Sequence, residues 1–196
     1  KAVIYDSEGN FLKKHNIEYP MTTHEIGVAE ESPAEIFDAV LFTVKKVIRE
    51  VGAKPEEIKL LSFSSAMHSL IAMDKDNQPL TECITWADNR ASEYADKINN
   101  EHNGLEIYKR TGTPIHPMSP LSKIYWLKHE HADIFKNTEK WIDIKTYVFY
   151  QLFETYVMDH SIGSATGMMN LNTLNWDKDV LALLEISETQ LPELVS

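Results

Sequence analysis

The sequence predicts an α/β fold, a mixed β-sheet with helices packed on it, and three observations carry that reading. Short apolar runs of strand length, each closed by turn residues, recur between Ala2 and Trp86. A single long helical pattern, Ser32 to Gly52, stands among them. Strands, one helix and further strands in that order suit a mixed sheet with the helix laid across it. Beyond Asn89 the periodicity becomes mostly helical, which reads as a helical insertion within one lobe.

The first element is a hairpin. Ala2 to Asp6 is apolar, Ser7-Glu8-Gly9-Asn10 supplies turn residues, and Phe11 to Tyr19 carries Leu12, Ile17 and Tyr19 back. Pro20 to Glu31 has no clear period and reads as loop or irregular strand. Ser32-Pro33-Ala34-Glu35 then has the form of a capping box with proline at the first helical position. Ile36, Phe37, Val40, Leu41, Val44, Val47, Ile48 and Val51 follow at spacings of three and four, and Gly52 ends the helix. Ile58 to Phe63 reads as a buried strand, and Leu70 to Met73 as another. Asp74-Lys75-Asp76-Asn77 is a turn, and Cys83 to Trp86 a further extended run. Helices are expected over Asn89 to Asn100, from Ser119-Pro120 through Leu127, over Ile144 to Phe153, and around Asp177 to Leu184. Short strands and loops fill the chain past Tyr156.

Bulk composition narrows the function. The chain has 196 residues, 43% of them hydrophobic and 25% charged, enough for one substantial folded core. A net charge of −11 repels phosphate backbones and anionic lipid, so neither nucleic acid nor a membrane surface is the expected partner. Cys83 is the single cysteine, which excludes an internal disulfide and a cysteine-based zinc site. With no membrane-length apolar run and no signal-peptide pattern, a reducing cytoplasm is the expected compartment. Lys1 stands where a strand is already under way, so further residues are expected upstream.

Several chemistries find no support. There is no G-x-x-x-x-G-K-[ST] loop, and Gly163-Ser164-Ala165-Thr166-Gly167 has no lysine to reach a phosphate. His129 and His131 fall on different helix faces, and Asp159 and His160 would diverge on a strand, so no metal site is expected. Ser64, Ser65 and His68 lack the G-x-S-x-G elbow of a hydrolase.

Two segments at predicted strand ends remain, where α/β proteins usually hold ligands. In Ser64-Ser65-Ala66-Met67-His68-Ser69, His68 can donate to and accept from a hydroxyl-rich ligand, or can simply pack at a strand end. In Thr85-Trp86-Ala87-Asp88-Asn89-Arg90, the Trp86 face suits the C–H side of a sugar ring, and Asp88 and Asn89 suit its hydroxyls. The alternative there is a core tryptophan, a helix cap at Asp88 and a solvated Arg90. From the residues alone both readings stand for both segments.

Taken in order, these segments resemble the sugar kinases named for an F-G-G-Y motif. Ser64-Ser65-Ala66-Met67-His68 is similar to that family's Gly-Gln-Met-His segment, with Ser65-Ala66 replacing Gly-Gln. Thr85-Trp86-Ala87-Asp88-Asn89-Arg90 resembles its Trp-x-Asp-x-Arg block. Gly112-Thr113-Pro114 through Ser122-Lys123-Ile124-Tyr125-Trp126-Leu127 resembles Thr-Gly-x-Pro…Lys-x-x-Trp-Leu, and Thr155 to Leu171 its Thr-Asp-x-Ser-x-Ala-Ser-Gly region. The block resembles gluconate kinases most, xylulose kinases next.

The resemblance implies an actin-like, ribonuclease-H-like ATPase lobe, incomplete at its N-terminus, with residues 1–196 forming the sugar-binding lobe of a two-lobe kinase. It implies a substrate site of Met67, His68, Trp86, Asp88, Arg90 and Met118, facing a small sugar or sugar acid. Arg90 would either meet a substrate carboxylate or support Asp88. ATP and Mg²⁺ would serve the intact enzyme, with ATP on a C-terminal lobe outside this chain. The family's phosphate loop would precede Lys1 and its catalytic base would follow Ser196, so no catalytic, cofactor-binding or metal residue is carried over. The fragment alone is expected to be inactive, and to aggregate or form a homodimer through the open edge at Ala2 to Tyr5.

Overall fold

A computed structural model describes all residues from Lys1 to Ser196. The chain opens with an antiparallel hairpin, β1 (Ala2–Tyr5) and β2 (Phe11–His15), closed by an Asp6 carboxylate that accepts from the Glu8 and Asn10 amides. β3 (Glu30–Glu31) follows an irregular stretch. Then comes α1 (Pro33–Val51), started by Ser32, whose hydroxyl accepts from the Glu35 amide at 3.4 Å. Gly52 ends it in the left-handed region at φ 69°, where glycine escapes the Cβ penalty.

After β4 (Ile71–Met73) and β5 (Cys83–Ile84) the chain is largely helical. The succession is α2 (Ser92–Glu101), α3 (Gly104–Thr111), α4 (Pro120–Glu130) and α5 (Ala132–Asn137). It continues with β6 (Lys140–Ile142), α6 (Ile144–Phe153), β7 (Val157–Asp159), α7 (His160–Ser164), β8 (Met169–Asn170), β9 (Asn175–Trp176), α8 (Lys178–Leu184) and β10 (Glu193–Val195).

Strand pairing is mixed, in short ladders. β3 runs antiparallel to β5, and β4 to β6, and a reciprocal Leu70–Ile84 bridge joins these two pairs. β7 and β10 are parallel. The main core gathers Leu70, Ile84, Leu121, Ile124, Leu127, Trp141, Val180 and Leu184 under α4, and a smaller cluster sits between α1 and α6 around Ile36, Ile71 and Tyr147.

The structure corrects one expected strand. Ile58 to Phe63 is irregular, with Leu60 83% and Leu61 48% exposed. A strand exists only where its amides and carbonyls find a ladder partner, and no strand of the chain pairs with this segment; β1 pairs with β2 alone. The helices α3, α5 and α7, and the strand β6, were not anticipated from the sequence. β6 is too short to show a period and exists through its pairing with β4.

Candidate functional site

The site is organised by the loops flanking β4 and β5, which the Leu70–Ile84 bridge holds side by side. Ahead of β4, His68 adopts φ 69°, a left-handed conformation uncommon for any residue but glycine. Ser69 fixes the loop from behind, its hydroxyl accepting from the Ile144 amide at 3.1 Å, where Asp143 caps α6. Met67 is half exposed. The His68 Nδ1 atom is buried without a protein partner, and burial holds the imidazole below its ordinary pKa.

Beyond β5, the chain turns through Trp86 to Arg90. The Thr85 amide and hydroxyl both donate to the Ala29 carbonyl, at 3.0 and 2.8 Å. Asp88 is wholly buried, and its carboxylate accepts from the Ala29 amide at 3.0 Å and the Arg90 amide at 3.1 Å. Arg90 Nε lies 3.0 and 3.2 Å from the two Asp88 oxygens, while Nη2 lies 2.9 Å from Oδ2 and also pairs with Glu30. The guanidinium stacks 4.6 Å above the Trp126 ring. Burial pulls the Arg90 pKa down, but hydrogen bonds to Asp88 and Glu30 outweigh it and raise the net value. Neither the helix cap at Asp88 nor the solvated Arg90 of the alternative reading is found: Ala91 occupies the N-cap of α2 without a side-chain bond. Trp86 is not a core residue either, being 56% exposed beside this buried ion cluster.

Lys123 joins the two loops and was not recognised as a site residue from the sequence. It is fully buried in α4, and its ammonium donates to the carbonyls of His68 at 2.6 Å, Thr85 at 2.7 Å and Ile84 at 3.3 Å. Burial pushes its pKa down to about 7, with the Asp88 charge opposing. The available signal was a lone cation within Leu121 to Leu127, a run that is otherwise too apolar to border water.

Met118 reaches the same neighbourhood from another loop. Gly112 closes α3 at φ 71°, and the Thr113 hydroxyl donates to the Ser164 carbonyl at 2.6 Å. The Met118 amide donates to His116 Nδ1 at 3.2 Å, and the His116 ring is near enough for its charge to weigh on His68. Thus the loops carrying Met67-His68 and Trp86 are held side by side through the Leu70–Ile84 bridge and Lys123, while Asp88 and Arg90 are paired with each other below the surface. Met67 and Trp86 are both exposed, so these loops present a thioether and an aromatic face to solvent. Gly163 to Gly167 serves packing: a Cβ at Gly163 would come 2.8 Å from the Leu194 side chain.

A family model described as the FGGY family of carbohydrate kinases, N-terminal domain, matches residues 1–196. The chain belongs to the FGGY family of carbohydrate kinases. It is 50% identical over 195 residues to gluconokinase from Bacillus subtilis (strain 168), covering 100% of this chain and 38% of that protein. A glycerol kinase from Thermococcus kodakarensis is 30% identical over 198 residues, with 40% of its length covered. Among solved structures, gluconate kinase from Lactobacillus acidophilus superposes with a TM-score of 0.95 at 38% identity, across 99% of this chain and 39% of that one. A ligand-bound xylulose kinase from the same organism gives the same three values for score, identity and coverage of this chain. The fold is therefore that of the actin-like ATPase lobe these kinases share. The chain spans about two-fifths of the length of these FGGY relatives. No helix is long and apolar enough to cross a membrane.

Proposed function

We propose that this chain is the sugar-binding lobe of an ATP-dependent kinase that phosphorylates gluconate at its terminal hydroxyl. The observation carrying this reading is 50% identity to gluconokinases along the whole chain, with the His68 and Trp86 loops tied together by the Leu70–Ile84 bridge and by Lys123. Trp86 supports the C–H face of the acceptor, and Met67 and Met118 bound it. The outward edge of His68 meets a hydroxyl. Asp88 and Arg90 do not reach the acceptor in this reading; they hold the wall that carries Trp86. Arg90 is already paired with Asp88 and Glu30, so a sugar-acid carboxylate is met elsewhere.

A second lobe binds ATP, and closure over the acceptor excludes water and lines up the transfer. The chemistry is in-line attack of the hydroxyl on the γ-phosphoryl, which needs positioning and charge stabilisation more than covalent help. Mg²⁺ would accompany the ATP phosphates in the intact enzyme and neutralise charge there, and no residue of this chain is assigned to hold it. Burial pushes the Cys83 thiol up to about 12, so it stays protonated and takes no part in the transfer.

Xylulose is the second reading, favoured by the equal structural similarity to a xylulose kinase. A coupled ADP-release assay on the full-length protein over gluconate, xylulose, ribulose, glycerol and glucose decides between them. Turnover confined to gluconate supports the first reading, and turnover of xylulose replaces it with the second. Silence on all five sugars leaves a non-catalytic sugar-binding module.

A further inference from the structure

We propose that Lys123 is the positioning residue of the acceptor site, a buried clamp whose ammonium sets the spacing between the Met67-His68 loop and the Trp86-bearing loop. This inference rests on the proposed acceptor site and adds to it a residue that touches no substrate.

The geometry that carries it is the choice of partners. Lys123 could have neutralised a neighbouring carboxylate, yet its Nζ sits among main-chain carbonyls of His68, Ile84 and Thr85. An ammonium has three donors, and each of the three is directed at a different carbonyl. One of these belongs to the loop before β4 and two to the end of β5, so one side chain indexes both site segments. Burying an ammonium is unfavourable unless such hydrogen bonds replace its water. A role in core stability alone is served as well by an apolar residue of similar length.

Two further observations agree. His68 is held in a left-handed backbone conformation that non-glycine residues avoid, and Lys123 grips the carbonyl of that same residue. Three residues along α4, Trp126 lies under Arg90 and steadies the pair behind Trp86. A single helix thus fixes these loops at two points, through Lys123 to the loop carbonyls and through Trp126 to the ion cluster. Its residues Pro120 to Leu127 are all buried, so the helix has little freedom to shift.

Such a clamp acts on the acceptor and leaves the nucleotide alone. The test uses the full-length protein with Lys123→Met, which keeps the length and removes the donors, and Lys123→Gln, which keeps two. Leu127→Ala, equally buried in the same helix but outside the carbonyl cluster, controls for lost stability. For Lys123→Met the acceptor KM should rise about tenfold or more while the ATP KM stays within about twofold. Lys123→Gln should fall between it and the wild type. Leu127→Ala should lower Tm without moving the acceptor KM. If Lys123→Met fails to fold, Lys123→Gln is judged by the same split. An acceptor KM unchanged in the lysine variants, or raised as far by Leu127→Ala at a matched loss of Tm, overturns the proposal.

Amide hydrogen exchange keeps this separate from the functional reading. If the wild type turns over no sugar, the functional reading fails, and exchange in Lys123→Gln still judges the clamp. Faster exchange at both Ser69–Leu70 and Thr85–Asn89 sustains it, and unchanged exchange at either loop overturns it.

Discussion

The two longest helices of the molecule are built on opposite plans. α1 runs 19 residues and carries nearly every local signal a helix can have: a serine N-cap, proline at its start, a glycine stop and a wide amphipathic stripe. Yet only Pro33, Ile36, Thr43 and Val47 along it are fully buried, and it packs over the β1–β2 hairpin at the edge of the lobe. α4 runs 11 residues, has no side-chain N-cap bond, and buries Pro120 to Leu127 without a break. The contrast shows that local signals and structural importance are separate properties. A peripheral helix must specify itself, whereas a central one is held by what surrounds it.

Substitutions can sharpen or break that comparison. The largest effect belongs in α4, where Leu121→Ala should cost about 3–4 kcal/mol in chemical denaturation because its surroundings cannot collapse onto the cavity. A loss near 1 kcal/mol, typical of a cap, would erase the distinction between the helices.

An intermediate effect is expected on acidification. Burial alone would raise the Asp159 pKa, but its 2.5 Å bond to Lys145 and its bonds at the start of α7 bring it down to about 2. A carboxylate with a depressed folded pKa contributes stability that is complete above its ordinary value of 3.8 and is lost as pH falls through about 2. Tm measured from pH 5 to pH 2 should therefore fall more steeply in the wild type than in Lys145→Met, which has less of this stability to lose. Equal slopes would remove Asp159 as a contributor.

Smaller changes are expected at the periphery. Gly52→Ala, forced to φ 69° with open space around its Cβ, should cost only about 1 kcal/mol. Smallest in stability is Leu60→Lys, within about 0.5 kcal/mol, since the side chain is 83% exposed. Its effect should appear in association instead. Residues 1–196 expressed alone should self-associate in sedimentation velocity, and Leu60→Lys with Leu61→Lys should shift them toward monomer. A wild-type fragment that is already monomeric would mean that the unpaired segment is not adhesive.

Legibility did not follow the same division, since α4, expected from Ser119-Pro120 through Leu127, is found at Pro120–Glu130. The hairpin, α1, α6 and α8 were readable because caps, turns and periodicity are properties of neighbouring residues. The helix expected around Asp177 to Leu184 is found as α8, with Asp177 capping it by accepting from the Val180 amide at 3.1 Å. Trp86, Met67 and His68 could be named as a pair of strand-end segments, though the tie between their loops through Lys123 could not. Ile58 to Phe63 was misread since an apolar run announces burial without naming a partner. Lys123 was passed over because its role is set by carbonyls 38 to 55 positions away.

The sequence by itself therefore determined the α/β class, the limits of the well-capped helices, and the order of family motifs that marks an FGGY kinase lobe. These follow from interactions within a few residues or from the motif order itself. Tertiary structure alone decided that Asp88 is buried against Arg90, that Lys123 ties the two loops, and that a strand-like segment goes unpaired. Each of those outcomes depends on which distant main-chain groups come within hydrogen-bonding reach, a property that no local stretch of sequence contains.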